Sequence, residues 1–113
     1  MKINKELLKG STALLLLGLL ENRSMYGYEM IKELEKRSEG VFSLKEGTLY
    51  PILHTLEQNG LLRSYWSENQ GKRQRKYYEI TAQGIEYHKM RKEEWNTFST
   101  AVERVLHLGE VGT

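Results

Sequence analysis

The stretch Ser43-Leu44-Lys45-Glu46-Gly47-Thr48-Leu49-Tyr50-Pro51-Ile52-Leu53-His54-Thr55-Leu56-Glu57-Gln58-Asn59-Gly60 decides how this chain is read. Leu49, Leu53 and Leu56 recur at i, i+4 and i+7 with Ile52 beside them, which gives a helix one core-facing side. Ser43 and Glu46 have the Ser-x-x-Glu spacing of a capping box, which predicts the start. Asn59-Gly60 predicts the stop, because glycine readily takes the left-handed conformation that closes a helix. Pro51 complicates the middle. It removes one backbone donor, crowds the carbonyl of Gly47 and disfavours the α conformation at Tyr50. Either the helix bends there or regular helix begins only at Thr48.

The opposite side of this helix carries Lys45, Thr48, Tyr50, Pro51, His54 and Thr55. Threonine and histidine exchange hydrogen bonds with base edges, and threonine also meets the thymine methyl. Lysine positions a protein on phosphate. The face therefore has the chemistry of a DNA-recognition helix, with Lys45, Thr48, Tyr50 and His54 as candidate contacts. Tyr50 serves equally well as a packing residue.

Upstream, residues 5–21 read as a leucine-dominated helix whose apolar positions, among them Leu7, Leu14 and Leu17, cover more than one face. The apolar run Ala13–Leu20 is broken by Gly18. It is far shorter than the roughly 18 residues that span a bilayer. Lys2, Lys5 and Lys9 precede it, but no small-x-small cleavage site follows, so a targeting segment is not indicated. Ser24 fits as N-cap of a second helix, Met25–Arg37, with Tyr28, Ile31 and Leu34 facing inward and Gly40 closing it. A helix N-terminus favours an anion, so Ser24 and Tyr26 are phosphate-contact candidates; simple capping explains Ser24 as well. Val41-Phe42-Ser43-Leu44 fits a brief strand.

Downstream, Leu61–Trp66 and Lys76–Ile80 are aromatic and aliphatic strand-like runs around a polar hairpin loop. Lys72, Arg73, Arg75 and Lys76 place four cations within five residues, with no acidic residue between Glu68 and Glu79. Alone, such a loop is usually just solvated. Beside a helix-turn-helix it is a basic wing poised over phosphate. Thr81 then caps a last helix, about 82–108, with Gly84 early in it. Trp95, Phe98, Val102 and Val105 follow at alternating spacings of three and four, the seam of a paired helix. Traced backwards the seam meets Arg91 and His88. Gly109–Thr113 reads as a tail. An apolar stripe on a terminal helix of so short a chain calls for a second subunit to cover it.

Composition bounds the rest. The chain has 113 residues, 39% hydrophobic and 28% charged, with net charge +2 and no cysteine. Disulfides, thiolate metal sites and thiol catalysis are excluded. His54, His88 and His107 lack metal-ligand spacing. There is no triad, paired-carboxylate site or phosphate-cradling glycine loop. The expectation is a non-enzyme with no metal and no cofactor.

The order helix, helix, short strand, helix, hairpin, long helix is that of a winged helix-turn-helix with an appended dimerisation helix. Four fragments narrow it: Tyr26-Gly27-Tyr28-Glu29-Met30, Gly47-Thr48-Leu49-Tyr50-Pro51-Ile52-Leu53, Leu56-Glu57-x-x-Gly60-Leu61-Leu62 and Arg75-Lys76-Tyr77-Tyr78-x-Ile80-Thr81-x-x-Gly84. In this order they resemble the PadR family of bacterial transcriptional regulators, over roughly residues 5–106. The short length and single C-terminal helix resemble its small subfamily, which includes a multidrug-binding repressor. That resemblance implies a planar hydrophobic ligand held at a dimer centre by Trp95 and its symmetry mate. Phe98 and Ser99 would stand beside it and Leu7 and Leu14 would roof it, although an apolar stripe and two leucines are equally plain interface and core. Ser99 stands where that relative carries an aspartate.

The expectations are thus a mainly α, α+β fold. Residues 1–80 form a winged helix-turn-helix; residues 81–113 form a C-terminal dimerisation helix and short tail, all in one compact domain. The function expected is a cytoplasmic homodimeric regulator, a repressor binding a pseudo-palindromic double-stranded DNA operator, without membrane contact. The competing reading is a winged-helix protein-interaction module without sequence-specific DNA binding.

Overall fold

The computed structural model describes residues 10–67 and 74–107. Helix α1 spans Thr12–Leu19, strand β1 Met25–Tyr26, α2 Gly27–Arg37, α3 Glu46–Gln58, β2 Leu62–Trp66, β3 Lys76–Ile80 and α4 Ala82–His107. The three strands form one antiparallel sheet in the order β1-β3-β2. The mainly helical α+β fold and the long last helix match expectation. Leu7, Lys72, Arg73 and the tail Gly109–Thr113 lie outside the described residues.

One core joins the elements. Leu16, Leu17 and Leu20 from the α1 region, Met25 from β1, Met30 from α2, Leu49 and Leu53 from α3 and Leu62 from β2 are all fully buried. The spacing of Leu49, Leu53 and Leu56 therefore does what it predicted, turning one face of α3 inward. Each such leucine removed from water contributes about 1.5–3 kcal/mol.

The ends of α3 are set differently from each other. Gly60 sits at φ +77°, the left-handed conformation foreseen at the helix stop. At the start, Lys45 is the N-cap and no side chain caps the helix, so the Ser43–Glu46 box does not form. Leu44 is buried, and anchoring it in the core governs how the chain enters α3. Pro51 lies inside the helix, which continues through it. The carbonyl it strands belongs to Gly47, which is exposed and has open space around it, so water can satisfy that oxygen.

Four other local expectations are corrected. Helix α1 begins after a turn at Gly10-Ser11 rather than running unbroken from residue 5 to 21. Helix α2 begins at Gly27, not Met25, because Met25 and Tyr26 pair with Tyr78 and Tyr77 of β3. That two-residue strand is the third of the sheet, and Val41–Leu44 forms none. Tyr28 is exposed; Gly27, Met30 and Leu34 form the inward face of α2 instead.

Thr81 caps α4 as foreseen. Its hydroxyl accepts from the Gly84 amide at 3.0 Å and donates to the Gly60 carbonyl at 2.7 Å. One side chain thus ties the start of α4 to the end of α3. Gly84 is required there, since a Cβ would overlap the Leu61 carbonyl oxygen and press on Ile80 at 2.7 Å. Further along, the buried His88 lies over Gly18 of α1, with its Cε1 3.5 Å from where a Cβ on that glycine would stand, an ordinary van der Waals contact. From Lys89 to Phe98 every residue of α4 is exposed.

Candidate nucleic-acid interface

Helix α3 presents Lys45, Thr48, Tyr50, Pro51, His54 and Thr55 to solvent, all exposed and opposite its buried leucines. The geometry brings together the face that the sequence proposed. Thr55 is partly committed, since its hydroxyl donates to the Pro51 carbonyl at 3.0 Å. Lys45, Thr48 and His54 are the exposed groups whose chemistry suits phosphate and base edges.

The wing stands beside this face. Arg75 is exposed and its guanidinium carbon lies 4.5 Å from the centre of the Tyr26 ring. Tyr26 meets Tyr77 edge-on at 5.5 Å, and Tyr77 stacks on Tyr65 at 5.7 Å. This run of rings follows from strand register, because Tyr26 and Tyr65 both pair with Tyr77 across the sheet. The ammonium of Lys76 lies 5.6 Å from the Tyr78 ring. Arg75 and Lys76 therefore emerge from an aromatic base rather than from a bare loop.

The N-terminus of α2 has a different occupant from the one expected. The Tyr26 amide donates to the Glu29 carboxylate at 3.3 Å, and Arg23 pairs with the same carboxylate at 2.8 Å. Glu29 thus places a carboxylate beside the N-terminus of α2, where the helix dipole favours negative charge. The Ser24 hydroxyl donates to Glu79 on β3 at 3.4 Å and does not cap the helix. Glu79 also pairs with Arg63. Ser24 ties the loop to the sheet, and Tyr26 carries the cation of the wing. The ties of Glu79 were not read from the sequence, because its partners Ser24 and Arg63 are distant along the chain.

A groove runs from the start of α2 to the wing, lined among others by Tyr28, Glu46, Tyr50, Trp66, Arg75 and Lys76. Tyr78 is buried at its base, and that burial, with Glu57 and Tyr50 nearby, pushes its phenol above the ordinary tyrosine range.

A second groove, about 760 Å³, lies between α1 and α4 and is lined among others by Leu14, Tyr87, Met90, Arg91, Trp95 and Phe98. The Trp95 and Phe98 rings are 6.0 Å apart at a tilt of 36°, and both are exposed. Leu14, Trp95 and Phe98 thus line one groove. Ser99 is half-buried, donates to the Asn96 carbonyl at 3.3 Å and is not part of this lining. Arg91 and Glu94, ion-paired at 2.9 Å, edge the same groove. Among the described residues no cluster of histidine and acidic groups could hold a metal, and no helix is long and apolar enough to cross a membrane.

Three helices on a three-stranded sheet, with a solvent-facing polar helix beside a basic hairpin, define a winged helix-turn-helix regulator. The chain belongs to the Transcriptional regulator PadR-like family, whose pattern matches residues 16–90. It is similar to a transcriptional regulator from Clostridium thermocellum, at 33% identity and TM-score 0.82, covering 90% of this chain and 96% of that one. It is also similar to a PadR family transcriptional regulator from Eggerthella lenta, at 32% identity and TM-score 0.77, covering 90% and 87%. A protein from Lysinibacillus sphaericus is 30% identical over 93 residues, 82% of this chain and 85% of its own length. The family and its structural neighbours are transcriptional regulators, not enzymes, and this chain is a DNA-binding regulator of that kind.

Proposed function

We propose that the chain is a homodimeric repressor that reads a pseudo-palindromic operator and is released by a planar aromatic ligand. The observation that carries the DNA reading is the juxtaposition of the exposed α3 face with the Arg75 and Lys76 wing. On this reading His54 and Thr48 meet base edges, Lys45 with the wing cations Lys72, Arg73, Arg75 and Lys76 meets phosphate, and Tyr26 supports the wing. Ser24 acts through the sheet rather than on DNA. Residues 1–80 carry the DNA-binding part and residues 81–113 the pairing part, and the protein works in the cytoplasm.

The pairing surface on this reading is the seam on α4. Trp95, Phe98, Val105 and Leu106 are 45%, 60%, 81% and 61% exposed, so burying them against a second copy removes a large apolar stripe from water. Two copies joined there would set their recognition helices about one helical turn apart. The groove at Leu14, Trp95 and Phe98 would then open onto the dimer centre, Leu7 and Ser99 being further candidates for ligand contact, and a flat hydrophobic molecule suits its rings. Ligand there would change the spacing of the two wings. Linkage requires DNA to weaken ligand binding by the same factor.

The test is fluorescence anisotropy of the protein's own promoter fragment against a scrambled fragment, with sedimentation analysis of the free protein. A specific complex of two chains per operator is expected, and addition of planar aromatic compounds should release it. Binding that ignores sequence would point instead to a protein-interaction role.

A further inference from the structure

We propose that Gly27 is the seat of Tyr50, and that this pair fixes how α3 is presented. The inference rests on the reading of α3 as the DNA-facing helix.

Gly27 is buried at the first position of α2. A Cβ built on it would overlap the Tyr50 hydroxyl and stand 2.7 Å from Cζ and 3.0 Å from Cε1 of that ring. Only the absence of a side chain lets the phenol lie across the start of α2. Tyr50 is rooted in the exposed face of α3 and is 41% exposed, so part of its ring is packed and part is open. Tyr50 also lines one groove with Tyr78 of β3. Tyr50 therefore bridges α3 and α2 beside the sheet. The residue just before the seat, Tyr26, carries Arg75 of the wing on its ring. Residues 26 and 27 are thus where the wing and the recognition helix are referred to one another.

This makes Tyr50 a positioning residue rather than a base reader. A methyl group at residue 27 forces the phenol off its seat. The clash falls on the free end of a half-exposed side chain, so the ring can swing outward and the fold loses little; alanine in place of glycine in a helix even offsets part of the loss. The displaced ring, which already lines the groove shared with Glu46, Trp66 and Lys76, would swing further into it, on the side where DNA would approach.

The experiment is a double-mutant cycle of Gly27→Ala and Tyr50→Ala, read by operator affinity, thermal unfolding and the tyrosine-ring NMR spectrum of the free protein. Gly27→Ala alone should weaken operator binding by about fivefold or more, the range of a lost specific contact. Its Tm should fall by no more than about 5 °C. It should shift the Tyr50 and Tyr78 ring resonances. In the Tyr50→Ala background, Gly27→Ala should have no further effect on binding. Independent, additive losses overturn the proposal, as do unmoved Tyr50 resonances in Gly27→Ala. If the wild-type chain shows no operator preference, the DNA reading of α3 fails, and the ring spectrum alone then decides the seat.

Discussion

The Arg75 guanidinium carbon lies 4.5 Å from the centre of the Tyr26 ring, which places the first charge of the β3 side of the wing on the N-cap residue of α2. A cation over a ring in a partly exposed site contributes roughly 0.5–1 kcal/mol. The same charge remains accessible to a phosphate, so Arg75 can hold the wing and steer DNA together.

Replacing Arg75 by alanine should weaken binding to every DNA sequence and lower the slope of log affinity against log salt by about one; replacing Arg73 as well should lower it further. Arg75→Lys keeps the charge but loses the planar contact with Tyr26, so it should retain the salt slope and recover only part of the affinity. Titrations at several salt concentrations decide this. A slope that does not change on losing both arginines removes the wing from the interface.

His54 is exposed on α3 and has the chemistry of a base reader. His54→Ala should cost about 1–3 kcal/mol on the preferred operator and relax the preference at one position of each half-site. Selection from a randomised operator library measures this. A uniform loss across all sequences would make His54 a phosphate or packing contact instead.

Trp95 and Phe98 lie on the exposed stripe of α4. Trp95→Ala with Phe98→Ala should shift sedimentation toward the monomer, since each large apolar side chain buried contributes about 1.5–3 kcal/mol. The ligand role of Trp95 is separated by Trp66→Phe, which leaves one indole. Quenching of that indole by planar aromatic compounds is expected, and its absence would leave Trp95 as interface core only.

His88 supplies a pH dependence. It is buried against Gly18, its Nδ1 has no hydrogen-bond partner among the described residues, and its Nε2 is 3.7 Å from Glu21. Burial lowers its pKa from the ordinary value, Glu21 opposes that shift and Lys92 adds to it. The unfolded chain therefore binds the proton more readily than the folded one. The contribution is fully present above the ordinary histidine pKa of about 6.5 and is lost as pH falls through that value toward the lower folded one. Urea denaturation should show the wild type losing stability between neutral and mildly acid pH by more than His88→Leu does. Parallel pH profiles for the two proteins would contradict this.

Much of α3 was legible from residue spacing. Leu49, Leu53 and Leu56 share a face because a helix repeats every 3.6 residues, and the polar residues left over must then face out. Gly60 and Thr81 were legible for a similarly local reason: a left-handed φ and a hydroxyl cap depend on the residue and its immediate neighbours. The hairpin also followed from composition, because Leu61–Trp66 and Lys76–Ile80 carry strand-forming residues on both sides of a polar loop.

What the sequence did not determine depends on partners far along the chain. Met25 and Tyr26 have no strand signal of their own and become β1 because β3 offers Tyr78 and Tyr77. That pairing delays α2, sends Ser24 to Glu79 and leaves the α2 N-terminus to Glu29. The Ser43–Glu46 box gives way because burying Leu44 sets the entry to α3, and burial outweighs a cap. From sequence, Gly27 falls inside a helix from Met25 to Arg37 with no special role, and only the packing of Tyr50 on it shows why it is glycine. Periodicity names the face of α3; packing between α2, α3 and the sheet decides which residues on that face are free and which hold the helix in place.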